Sequence, residues 1–236
     1  TSRDPLFEKY FWMSPYAYCA NNPVKYIDPT GMSFDPVIDE DNKTITIRAT
    51  YYTSKENAKD LQKALNLWNE QSGKFSYETG KGKNKQTYTI NFDLTIQSYD
   101  TQEEAQYNYE QNAHKLETNI YKGKTLINDD GIRGSATGMT IEMNPNTPEN
   151  QVTRTLAHEV GHTLGIGHYD GGLMQSGGTA KNIPIEYIQE MVSRFTTGPT
   201  TYSTWQSCPK SDFQRSVHET RWKNWFDKKP MSGKIK

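Results

Sequence analysis

Three of the chain's five histidines fall in one string, His158-Glu159-Val160-Gly161-His162-Thr163-Leu164-Gly165-Ile166-Gly167-His168. The spacing has a mechanical reading. Residues four apart stand one above the other on a helix face, so His158 and His162 can aim at one ion. A third ligand six residues further on cannot reach that ion from a continuing helix. Gly165 supplies the break, because glycine tolerates the positive φ that ends a helix and reverses the chain, and His168 can then approach from below. Three neutral imidazoles with an open fourth position form the pattern of a catalytic zinc site, since structural sites are closed. Nitrogen donors also suit zinc better than calcium or magnesium. Glu159 lies beside the histidines but not in line with them, placed to reach a water at the metal as general base. Two plainer readings stand beside this one: a solvated helix that is merely His-rich, and a structural zinc site in a non-catalytic binding module. The Gly break and the third His speak against the first, and Glu159 against the second.

The elements that must position these groups can be read from periodicity. Val152, Leu156, Val160 and Leu164 recur at four-residue steps and give the motif helix a packed side. Thr147-Pro148 reads as its start, a capping hydroxyl followed by Pro at the first helical position, and Gly165 as its end. Upstream, Thr44 to Ala49 alternates as a strand does. Ser54 can cap a helix through Leu61, Leu65 and Trp68 that stops near Gly73. Lys74 to Glu78, Tyr88 to Gln97 and Met139 to Met143 read as strands, and 101–117 as helix or loop. Asn128-Asp129-Asp130-Gly131 reads as a turn. A last helix starts around Ile183-Pro184 and carries Ile188, Met191, Val192 and Phe195 on one face. The expected fold is α+β: a mixed twisted sheet, one backing helix, the active-site helix and a C-terminal helix.

Composition bounds the remaining readings. Leu, Ile, Val and Phe number only 39 of 236 residues, but 28 aromatics, 15 of them Tyr, can supply the buried area that Leu does not. The balance of 27 basic against 28 acidic residues argues against bulk electrostatic binding to nucleic acid. No apolar stretch is long enough for a transmembrane segment, and two cysteines cannot build a disulfide scaffold. Three regions differ: an aromatic, Pro- and Asn-rich leader at 1–36, a patterned domain at 37–198, and a basic tail at 199–236 holding Trp205, Trp222 and Trp225. The tail reads as a loosely packed terminal helix, with a partner or anionic membrane as the sharper alternative. His114 and His218 read as surface residues. Cys19 and Cys208 read as two unpaired small residues, with a disulfide or a metal-capping Cys19 thiolate as the sharper alternatives. Asn128, Asp129 and Asp130 lack the spacing of an EF-type loop, so Ca2+ has no support there. A monomer is expected.

The histidine string resembles that of the metzincin metallopeptidases, most of all the matrixin-type pattern. Gly172-Leu173-Met174-Gln175 sits where that family carries its methionine turn, although the step from His168 is shorter than in matrixins and the residue after the third His is Tyr169. The resemblance implies a metzincin-like zincin domain with one catalytic Zn2+ on His158, His162 and His168. It also implies Met174 as a hydrophobic floor beneath them and Glu159 as the base in hydrolysis of a protein or peptide substrate. The substrate would lie extended along an edge strand, with Met139 to Met143 the candidate; Tyr169 reads as a packing or structurally paired residue, with an oxyanion helper as the sharper alternative.

The leader has a resemblance of its own. Asp4-Pro5-Leu6, Ser14-Pro15-Tyr16-Ala17-Tyr18-Cys19-Ala20-Asn21-Asn22-Pro23 and Tyr26-Ile27-Asp28-Pro29-Thr30-Gly31 are similar to the end of the core in RHS/YD-repeat proteins. That resemblance implies a chain that is a piece of a longer product: the toxin tip of a bacterial RHS protein, secreted or delivered from the cell, with a cognate immunity protein as partner. A general secreted metalloprotease is the rival within enzymes.

Overall fold

A computed structural model describes residues 33–113, 115, 117–127, 131–197, 225–232 and 235–236. The expectations for the leader string, Cys19, Cys208, His114, His218 and Asn128 to Asp130 fall outside the described residues.

The sheet grows around β2 (Thr44–Ser54), whose Thr-Ile-Thr-Ile-Arg-Ala alternation turns Ile45, Ile47 and Ala49 into the core. β2 lies between β4 (Gln86–Tyr99) and β5 (Thr118–Tyr121), parallel to both. β1 (Asp35–Asp39) pairs antiparallel with the first half of β2. β3 (Phe75–Thr79) closes one side antiparallel to β4. On the other side β7 (Thr140–Met143) runs parallel to β5, and β6 (Gly134–Thr137) pairs antiparallel with β7. The order is therefore β3-β4-β2-β5-β7-β6, a seven-stranded mixed sheet with β1 off that path. Right-handed crossovers between parallel strands require connections on the sheet faces. α1 (Lys55–Asn69) joins β2 to β3, and α2 (Gln102–Asn112) joins β4 to β5.

α1 buries Leu61, Ala64, Leu65 and Trp68 and packs on α3 (Glu149–Thr163), the helix that carries the histidine string. α4 (Ile185–Thr197) places Tyr187, Ile188, Met191 and Val192 in the same core. The fold is the expected α+β arrangement, and tyrosine supplies much of its interior: Tyr51, Tyr77, Tyr88, Tyr121 and Tyr187 rank with Trp68 among the largest fully buried side chains. Each is long enough to bring a hydroxyl to a partner while the ring packs, as Tyr51 does on Thr163 Oγ1 at 2.7 Å.

Several boundaries differ from expectation for identifiable reasons. Thr147 does not cap α3: its hydroxyl donates to the Arg133 carbonyl at 2.9 Å, and Pro148 takes the N-cap position. Ser54 precedes α1 without a side-chain cap bond and instead accepts from Asn57 Nδ2 at 2.9 Å. Residues 102–112 are helix, capped by Thr101, which accepts from the Glu104 amide.

The described part of the basic tail is packed rather than loose. Phe226 is fully buried, edge-on to Tyr77 at 5.4 Å, while Trp225 stands edge-on to Tyr88 at 5.1 Å. The Lys229 ammonium meets both Glu40 carboxylate oxygens at 2.6 and 2.7 Å. Lys236 exchanges backbone hydrogen bonds with Ser76 on β3, and Met231 bridges to Thr79, so this segment continues the sheet beyond β3. At the other end, Phe34 is buried and the Ser33 amide donates to the Thr163 carbonyl at 3.0 Å, below the last turn of α3. Among the described residues no helix is long and apolar enough to cross a membrane.

Candidate metal centre

α3 is buried on almost every side, with Val152, Leu156, Val160 and also His158 and Glu159 shielded from solvent. It ends as the glycine break requires. Gly165 adopts φ +78°, its amide donates to the His162 carbonyl at 2.9 Å, and the Ile166 amide reaches back to the Gly161 carbonyl at 3.0 Å. That pair of bonds is a Schellman ending, and it turns the chain so that His168 returns beneath α3.

The ligating atoms of His158, His162 and His168 all lie within 4.8 Å of one another. His162 Nε2 is 3.1 Å from His158 Nε2 and 3.2 Å from His168 Nε2. The opposite ring nitrogens settle what those atoms carry. His158 Nδ1 faces the Leu173 carbonyl at 2.9 Å and His162 Nδ1 the Ile166 carbonyl at 2.8 Å. A carbonyl only accepts, so each Nδ1 bears the proton and each Nε2 presents a lone pair. Lone pairs converging at such distances repel unless a cation lies between them. A tetrahedral ion with bonds of about 2.0–2.1 Å would set its nitrogens about 3.3–3.4 Å apart, close to the spacing found. The residues therefore fit a zinc-sized ion. Burial is the main reason that His158 and His162 are held down to about 4, which keeps both neutral and ready to ligate near pH 7.

Glu159, next to His158 on α3, lies against β6. Its carboxyl oxygen would lie only 2.9 Å from a Cβ at Gly134, so a glycine there is what admits it. Burial pushes the Glu159 carboxyl up to about 8, against the opposing pull of the Arg154 charge and the Ala136 amide. A carboxyl tuned towards neutrality can both take and return a proton.

Met174 is fully buried and seated on Gly161, where a Cβ would come within 2.3 Å of its sulfur. Its loop is held from three directions. The Met174 amide donates to the Tyr187 hydroxyl at 3.0 Å, and its carbonyl accepts from the Tyr169 amide at 3.1 Å. Arg154 donates to the carbonyls of Leu173 and Gln175 on either side.

One expectation is corrected here. Met139 to Met143 is not an edge: β7 is flanked by β5 and β6, and β6 is the strand at the rim beside Glu159. Tyr169 is turned towards α4, its ring 4.7 Å from that of Tyr187 and its hydroxyl bonded to the Glu186 carbonyl at 3.4 Å and to Glu190. Those partners tie the loop after His168 to α4.

Sequence reasoning missed Arg154, Gly134, Tyr187 and Glu190. Glu190 accepts from the Gly167 amide at 3.3 and 3.2 Å, next to His168. Only Arg154 left a signal, since it stands four residues before His158 in the row that His158 and His162 continue.

No curated protein matches the chain. The matrixin family model matches residues 39–181, which take in the end of β1, the whole histidine string and Met174. That match spans more than half of the sequence, and the chain belongs to the matrixin family of metallopeptidases.

Proposed function

We propose that the protein is a zinc-dependent endopeptidase, with the ion held by the Nε2 atoms of His158, His162 and His168 and with Glu159 as its general base. The observation that carries this reading is the convergence of three histidine nitrogens, two of them held as lone-pair acceptors, on a helix that also carries a buried carboxyl of raised affinity for protons. Zinc bound there would supply Lewis acidity towards water and the peptide carbonyl. Glu159 accepts the proton that the attacking water loses and delivers it to the departing amine, so the two products together hold one added water. A substrate chain would extend along β6, whose outer backbone groups offer strand pairing next to Glu159. The Met174 loop keeps the floor of the triad dry.

The wider role rests on the leader. Its similarity to the end of an RHS core supports a bacterial toxin tip, secreted or delivered as part of a longer protein and held in check by an immunity partner. In that reading 1–36 is the leader, 37–198 the peptidase domain and 199–236 an appended tail.

Glu159→Ala tests the chemistry. The variant should bind about one zinc per chain and cleave no casein; cleavage at the wild-type rate would overturn the assignment of the base. Expression inside a bacterium, with and without Glu159, tests the toxin role. A growth defect that depends on Glu159 supports it, and equal growth in both cases removes it.

A further inference from the structure

We propose that Arg154 is a positioning residue for the metal centre: its guanidinium fixes the carbonyl on which His158 is oriented, and so raises the triad's affinity for zinc. This rests on the zinc reading above. Arg154 is on α3, one turn before His158, and only 4 % exposed. A buried guanidinium is costly unless its donors are satisfied, and here the partners are carbonyls of a single loop. Nη2 donates to Leu173 O at 2.9 Å and, on the far side of Met174, to Gln175 O; Nε reaches Ala180 O at 3.4 Å. Among the described residues Arg154 forms no salt bridge.

The Leu173 carbonyl is the joint of this arrangement. One of its lone pairs takes Arg154 and the other takes His158 Nδ1 at 2.9 Å. That second bond fixes the tautomer and ring plane of His158, which is how a partner behind a ligand tunes a metal site. The planar guanidinium holds Leu173 O and Gln175 O from Nη2 and Ala180 O from Nε in one rigid arrangement, which a freely rotating ammonium with a single nitrogen does not reproduce. The loop would keep other ties, among them Tyr187 to the Met174 amide, the Tyr169 amide to the Met174 carbonyl and Asn182 to the Leu173 amide, but none of these ends on the Leu173 carbonyl.

The charge of Arg154 makes the sign of the effect diagnostic. A cation beside the site repels a dication, so a purely electrostatic role predicts tighter zinc binding once the charge is gone. A positioning role predicts weaker binding. It also predicts that Arg154→Lys, which keeps the charge and loses the fork, weakens binding too.

The experiment compares wild type, Arg154→Met and Arg154→Lys after metal removal. Zinc affinity is measured by competition with a chelating indicator. The visible absorption of the Co2+-loaded proteins and the melting temperature of the metal-free proteins are recorded alongside. Expected are a fall in zinc affinity of about 10–100-fold for Met, a smaller fall for Lys, and a shifted cobalt spectrum in both. Affinities and cobalt spectra like those of wild type, with only the metal-free melting temperature lowered, would make Arg154 merely structural and overturn the proposal. Tighter binding by the Met variant would overturn it as well. If Arg154→Met does not fold, Arg154→Lys decides by the same two readouts. A wild-type protein that binds no zinc is a separate result, and it removes the zinc reading itself.

Discussion

The indole nitrogen of Trp68 donates to the backbone carbonyl of Ala157 at 2.9 Å, both groups fully buried. Ala157 immediately precedes the first metal-facing histidine, so α1 grips α3 by its main chain at the level of the site. Trp68→Phe retains the ring packing against Phe92 and strands that bond. We expect a loss of about 2 kcal/mol, a drop in melting temperature of about 4–8 °C, read by thermal unfolding. An unchanged melting temperature would show that the bond contributes nothing net.

Gly134 faces the carboxyl of Glu159 with no room for a methyl group. Gly134→Ala is expected to displace Glu159 while leaving His158, His162 and His168 in place. Peptide cleavage should fall at least tenfold, about 1.4 kcal/mol in the barrier, with zinc content as in wild type. Zinc loss in parallel with activity would contradict the separation of base and ligands.

Acid stability follows from two groups of shifts. Burial first, and the neighbouring histidines next after the opposing Leu173 carbonyl, hold His158 at about 4; burial likewise leads for His162 at about 4. The unfolded chain takes protons at these rings as pH falls through about 6.5, the folded chain only near 4. The metal-free protein therefore loses stability between those values. At Glu40 burial works upward, but hydrogen bonds from Lys229, Tyr88, Trp225 and Lys43 outweigh it and bring the carboxyl down to about 2. Its contribution is complete above the ordinary 4.5 and is lost as pH falls from there towards 2. The Glu40 side chain is 42 % exposed, so solvent screens much of this gain. Urea titrations from pH 7 to 3 in chelator should show the upper loss in wild type and in Glu40→Gln alike, and a smaller lower loss in Glu40→Gln than in wild type.

The end of the chain contributes to the core through Phe226, fully buried against Tyr77. Phe226→Ala should cost about 3–5 kcal/mol, visible as a lower urea midpoint with the zinc site of the surviving folded fraction intact. Unchanged stability would mean that this segment merely lies on the sheet.

Legibility in the sequence followed pattern strength. α1, α3 and α4 were readable because apolar residues recur at helical steps, and β2 and β4 because they alternate over long runs. β6 was not: Gly-Ser-Ala-Thr contains no large apolar residue, and its pairing is set by β7 and by Glu159 behind it. β1 opens on Asp35-Pro36 and β5 has four residues, all buried, so neither shows an alternation. The triad and Glu159 could be named from spacing, and Met174 only through the family resemblance. Arg154 was passed over because a charged residue on a helix is ordinarily taken as solvated, and only the folded Met174 loop reveals what it holds. The basic tail was misjudged because Phe226 and Ile235, which enter the core, recur at no helical or strand spacing in a lysine-rich stretch.

The seat of Met174 on Gly161 has a last consequence. With a Cβ at 161 falling 2.3 Å from the sulfur, the helix and the loop divide one fixed volume between them. Gly161→Ala alone should cost about 1–3 kcal/mol by overpacking. Met174→Ala alone should also destabilise, by leaving a void. Combined, the two should cost less than their sum, a coupling that a double-mutant cycle measures directly. What this site constrains is a total rather than two identities, and chains that drift at one position would have to drift in the opposite sense at the other.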